Sequence, residues 1–114
     1  MESLPRAITF EREFEGLNEI TIPEEFIKDF HYSSDNHLMI ILRVIGLDSQ
    51  KVKDFLKESE NDLFILKTVT GTSGQVTSGK FILTSMYLDE GPPISVDIDQ
   101  DIPMVRAILD FKKK

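Results

Sequence analysis

A chain of 114 residues, 40% of them hydrophobic, is long enough for a single domain that buries about two thirds of its unfolded surface without disulfides or metal. The absence of cysteine excludes a disulfide framework, a thiolate zinc site and a cysteine nucleophile. Twenty acids against thirteen bases give a formal charge of -7, spread along the chain, and this opposes binding to nucleic-acid phosphate or anionic membrane, both of which need a cationic surface.

The first residues, MESLPRAITFERE, lack a basic stretch followed by an apolar core, so no signal peptide is expected. The longest nearly uncharged apolar run, residues 37–42, falls far short of the roughly 20 residues of a spanning helix. These features imply a soluble, cytoplasmic protein with no membrane partner. The one basic cluster, Lys112, Lys113 and Lys114, reads as a solvated chain end.

In chain order, RAITFEREF (residues 6–14) places Ile8, Phe10 and Phe14 on one face and Thr9, Glu11 and Glu13 on the other, the period of a half-buried strand. Arg12 interrupts the apolar face. Residues 18–22 form a second short strand after a turn at Gly16. Pro23 suits a first helical turn, Glu24 and Glu25 complement a helix dipole, and Phe26, Ile27 and Phe30 give a short helix an apolar side. That helix is expected to end at a loop over residues 31–36.

HLMIILRVI (residues 37–45) is apolar almost throughout and predicts a strand covered on both faces at the centre of the sheet. Asp48 or Ser49 can cap a second helix, with Val52, Phe55, Leu56 and Ser59 on its dry side and Lys51, Lys53, Asp54 and Lys57 on its wet side. Strand-like runs follow at residues 63–70, 80–88, 94–98 and 104–111. The sum is a mainly β, α+β chain: an antiparallel, β-sandwich-like single domain of about seven strands with two short helices at an edge.

Three motifs bear on chemistry. GQVTSGKF (residues 74–81) has the G-x-x-x-x-G-K of a phosphate-binding loop, but Phe81 replaces the magnesium-binding hydroxyl. The alternation that follows predicts a strand where a phosphate loop needs a helix, so the segment reads as a hairpin tip. Gly71, Thr72, Ser73, Gly74, Gln75, Val76, Thr77, Ser78 and Gly79 then form a tip longer than the usual two to five residues, which marks a candidate assembly loop.

VDIDQD spaces Asp97, Asp99 and Asp101 like the first ligands of an EF-hand loop. Ile102 and Ile108 stand where that loop needs glycine and a closing glutamate, so an outward acidic strand face is the simpler reading. Glu11, Glu13, Asp97 and Asp99 make up this candidate acidic face. His31 and His37 flank YSSDN, with Ser33 and Ser34 nearby, but a polar turn does not hold a catalytic group rigidly. No enzyme activity, cofactor or metal is expected.

LNEITIPEEFIKDFHYSSDNHLMIIL (residues 17–42) resembles the swapped-hairpin domain of AbrB-type transcription regulators, through its Ile20-Thr21-Ile22-Pro23 step from strand to helix. That resemblance implies an intertwined, DNA-binding dimer. Residues 63–111 resemble, in element order and length, the end of a bacteriophage tail-tube subunit. This second resemblance implies a small β-sandwich with an edge helix and extended loops, found in the virion after assembly in the host cytoplasm. Its partners would be further copies of itself, as in hexameric rings, and other structural proteins, with no sequence-specific nucleic-acid binding. A monomeric accessory binding domain is the third reading.

Overall fold

The computed structural model describes residues 4–12, 19–34, 36–46, 48–57, 59, 61–70, 74–90, 94–97 and 100–114. Among these residues nine strands are β1 (Ala7–Arg12), β2 (Glu19–Pro23), β3 (Ile27–Ser34), β4 (His37–Ile45), β5 (Leu63–Thr70), β6 (Gln75–Glu90), β7 (Ile94–Asp97), β8 (Gln100–Ile102) and β9 (Met104–Lys113). One helix, α1 (Asp48–Leu56), lies between β4 and β5. Seven strands form one antiparallel sheet in the order β2-β1-β5-β6-β9-β4-β3, and β7 and β8 pair separately.

The sheet is folded over on itself. Phe10 on β1 and Phe111 on β9 lie three strand spacings apart, about 14 Å in a flat sheet. Their ring centroids are 6.2 Å apart. Likewise β2 and β3 occupy opposite edges of the sheet, yet only the 3-10 turn Glu24–Phe26 separates them in the chain. The result is a sandwich with layers β2-β1-β5-β6 and β6-β9-β4-β3, and β6 belongs to both.

β6 is the corner. Its residues 75–82 pair with β5 and its residues 81–90 with β9, with a bulge between Leu83 and Ser85. Thr84 is the extra residue, and its hydroxyl donates to the Asp110 carbonyl oxygen at 3.0 Å. A bulge bends a strand and flips the alternation beyond it. Accordingly Phe81 and Leu83 point inward before it, and Met86 and Leu88 after it. Flat, sixteen residues would span about 53 Å, but the whole molecule is 47 Å long.

Between the layers Phe111 is an aromatic hub, stacked on Phe10 and edge-on to Phe64 and Phe81 at 6.1 and 6.2 Å. Val52, Phe55 and Leu56 of α1 join the same core. The helix carries the expected faces, with Ser49, Val52, Phe55 and Leu56 buried and Lys51, Asp54 and Lys57 exposed. Ser49 donates its hydroxyl to the Gly46 carbonyl oxygen at 2.7 Å, which ties the first turn to the end of β4.

Several local expectations are corrected. The helix expected after Pro23 shrinks to the turn Glu24–Phe26, and Ile27–Ser34 is a strand. Helical spacing over so few residues is ambiguous, and pairing of Ile27, Phe30 and Tyr32 with β4 decides it. Of the loop expected over residues 31–36, residues 31–34 are instead the end of β3. β4 has the expected bounds but is next to an edge rather than central, with one face buried and the other partly so. Among the described residues there is one α-helix.

Candidate functional site

The hairpin of β5 and β6 forms an arm. Residues 71–73 lie outside the described residues, and Gly74 closes the tip with φ +70, a left-handed conformation that favours glycine. Gln75 to Gly79, expected within a loop, are strand: they pair with residues 66–70 of β5 in unbroken register. The loop expected to run to Gly79 therefore gives way to strand from Gln75. Alternation of small polar and β-branched residues, with no charge, suits a strand solvated on both faces. Gln75, Val76, Thr77 and Ser78 are all exposed, Val76 at 60%.

On its other side this segment has no ladder partner among the described residues. β9 takes up β6 only from Phe81, opposite Lys113, and Lys114 donates its backbone N–H to the Lys80 carbonyl oxygen at 3.0 Å. Residues 75–79 are thus a free edge. Among the described residues the seven-stranded sheet has two other free edges, and both carry features that discourage pairing. β2 has five residues, begins at Glu19 and ends at Pro23, which lacks an N–H. β3 carries Lys28 and Asp29 and two irregularities of register. The segment 75–79 has neither charge, nor proline, nor a bulge.

In the layer β2-β1-β5-β6 the free edges are β2 and the arm, at opposite sides. Register aligns the outward residues in three rows: Pro23, Ala7, Val69 and Val76; Thr21, Thr9, Lys67 and Ser78; and Glu19, Glu11, Ile65 and Lys80. The first row is apolar. In the second, the Thr9 and Thr21 hydroxyls are hydrogen-bonded at 2.9 Å. The third runs from acid at the β2 edge to base at the arm.

Beside β2 lies a cleft of about 290 Å³. All five residues of β2 line it, those of both faces, so it runs along the strand's free edge. Asp48, Lys51 and Val52, on one side of α1, form the opposite wall, and Phe26 closes one end. The helix packs on β4 and β9, which leaves the gap.

Of the acidic face, Glu11 points outward as expected and is paired with Lys67 at 3.1 Å. Asp97 belongs to β7, in the separate two-stranded sheet, so the two do not share a sheet. Glu13 and Asp99 lie outside the described residues. Among the described residues no three His, Asp or Glu side chains are grouped to hold a metal. The phosphate-loop lookalike is strand throughout its length from Gln75 and is followed by more strand. His31 lies opposite Met39 and His37 opposite Ser34, both exposed on the β3/β4 hairpin.

Glu19 and Lys80 were not singled out by sequence reasoning, and Thr21, Pro23 and Lys51 were read there only as parts of a strand-to-helix step and of a wet helix face. Their relevance comes from register between distant strands, which leaves no local signal. No described helix is long and apolar enough to cross a membrane. Comparison with known proteins finds no matching family model, curated protein or solved structure.

Proposed function

We propose that this chain is a non-enzymatic structural subunit that self-associates, most specifically a virion component of the tail-tube, tail or decoration type. The observation that carries the reading is the arm: an uncharged edge strand, exposed on both faces and unpaired on one side, at the end of a well-packed sandwich. An edge of this kind is a template for strand addition, which a lone protein has reason to block. Among the described residues, the other two free edges of the seven-stranded sheet carry such features and this one does not.

Charge supports the same reading. At -7 the surface repels DNA phosphate, which suits a subunit that surrounds or adjoins nucleic acid without gripping it. Residues 17–42, which resemble the AbrB-type domain, pair inside this chain: β2 with β1, and β3 with β4. No structural feature favours the DNA-binding reading over assembly.

The test is the solution mass of the purified protein by light scattering, together with negative-stain imaging of the same sample. Rings or tubes are expected, and Val76→Asp should abolish them while leaving the thermal unfolding midpoint within a few degrees. A monomer at every concentration would overturn the assembly reading in favour of an accessory domain, and a strict dimer that retains DNA would overturn it in favour of a regulator.

A further inference from the structure

We infer that the outward face of the layer β6-β9-β4-β3 docks an acidic amphipathic helix of a partner protein, with carboxylates on Arg43 and Arg106 and apolar side chains on Ile41, Ile108 and Tyr87. The inference goes beyond the self-association proposed above and does not depend on it, because the arm takes no part.

Register builds the surface. On β4 and β9 the outward residues alternate with the buried Leu42, Val44, Ala107 and Leu109. Pairing sets them in parallel rows across the strands: Asp89, Arg106 and Arg43; then Tyr87, Ile108 and Ile41; then Ser85, Asp110 and Met39. The middle row is apolar, yet Tyr87 is 58% and Ile108 37% exposed. A groove of about 280 Å³ lies there, and its lining holds three cations, Lys28, Arg43 and Arg106, and no carboxylate.

Charge is the second support. Arg43 and Arg106 stand directly opposite across β4 and β9, an unfavourable pairing of like charges. Asp89 holds Arg106 at 2.8 Å. Arg43 is half-buried and has no hydrogen-bond or ion-pair partner among the described residues. The neighbouring Asp29 is engaged elsewhere, accepting from the Phe30 N–H at 2.9 Å. In a chain with twenty acids and thirteen bases, an arginine left without a carboxylate beside a second arginine favours an acid from outside.

Spacing selects the form of that acid. Side chains opposite on adjacent strands start about 5 Å apart, which matches carboxylates one helical turn apart, about 5–6 Å, better than those at i and i+2 of a strand, about 7 Å. A single carboxylate cannot meet cations spread over β3, β4 and β9, so a small amphiphile satisfies the surface poorly. Nucleic acid would leave the apolar row unused and meet a chain of charge -7. Asp110, on the far side of the apolar row, sets the polarity: the partner's acids lie toward Arg43. A second copy offers no such helix among the described residues, because the apolar side of α1 is buried in its own core.

The chain contains no tryptophan, so one tryptophan in a synthetic amphipathic helix of leucine, alanine and glutamate reports binding by its fluorescence. Saturable binding is expected, equal for the parent and for Val76→Asp, whose arm is disabled. Arg43→Glu should weaken it roughly tenfold without lowering the thermal unfolding midpoint, since glutamate opposite Arg106 exchanges a like pair for an opposite one. Tyr87→Ala should weaken it roughly fivefold. Absence of binding by the parent, undiminished binding by Arg43→Glu, or equal binding of a peptide with lysine in place of glutamate would overturn the inference. Displacement of the peptide by decanoate at a lower concentration than by unlabelled peptide would overturn it in favour of a small amphiphile. Parent assemblies that come apart on Arg43→Glu would overturn it in favour of a second copy. Arg43-dependent binding by a parent that is monomeric throughout would support it while overturning the self-association reading.

Discussion

The Arg12 guanidinium lies 4.9 Å from the centre of the Phe55 ring and donates a hydrogen bond to the carbonyl oxygen of the same residue. It also donates to the Ser59 hydroxyl at 2.5 Å and sits 5.9 Å from the Phe64 ring centre. The side chain that breaks the apolar face of β1 thereby closes the C-terminal end of α1, where carbonyl oxygens need donors and a cation meets the negative end of the dipole.

Arg12→Ala should therefore destabilise the fold by about 2–4 kcal/mol, since it removes charge-assisted hydrogen bonds in a mostly buried setting and a cation–π contact. Arg12→Lys keeps the charge but loses the fork of donors, and should recover less than half of the loss. Urea unfolding followed by far-UV circular dichroism measures both.

Phe111 and Tyr87 should separate sharply under truncation. Phe111→Ala removes the ring against which Phe10, Phe64 and Phe81 pack, at a cost of about 3–5 kcal/mol. Tyr87 is 58% exposed, and Tyr87→Ala should stay within about 0.5 kcal/mol. Midpoints of chemical denaturation check the contrast.

Gly46 makes the junction between β4 and α1 at φ +96, accepting from Ser49 and donating its N–H to the Pro103 carbonyl oxygen at 2.9 Å. A Cβ at this position would touch nothing within 4 Å. Gly46→Ala should nonetheless destabilise by about 1–2 kcal/mol, because an L-residue is strained in that conformation. A crystal structure of the variant should show its neighbours unmoved, which assigns the loss to the backbone.

Salt should promote assembly. The joint proposed for the arm is mostly uncharged, whereas the subunits repel one another at -7, and the screening length falls from about 10 Å at 0.1 M to about 3 Å at 1 M ionic strength. The concentration needed for assembly should drop as sodium chloride rises, as followed by light scattering. An interface held mainly by surface ion pairs would respond in the opposite direction.

The sequence carries some of these elements clearly. β5 and α1 follow from period and capping, and the alternation of β1 exposes Arg12 as the odd residue on a dry face. β3 is illegible because Phe26, Ile27 and Phe30 fit a short helix as well as a strand until β4 is there to pair with it. The arm is hidden for a related reason, since Gln75 to Gly79 have turn-like composition and become strand through the ladder to β5. Least legible are the rows that end on Glu19 and Lys80, which depend on two hairpins meeting across β1 and β5.

The strand order also interleaves the chain with itself. Residues 7–45 supply both flanks of the sheet, β2-β1 and β4-β3, and residues 63–113 supply the middle, β5-β6-β9. The first half therefore emerges from a ribosome as two hairpins with nothing between them. Neither flank finds its neighbour until β5 and β9 have been made, and the pairing of β4 with β9 spans most of the chain, the kind of distant contact that slows folding.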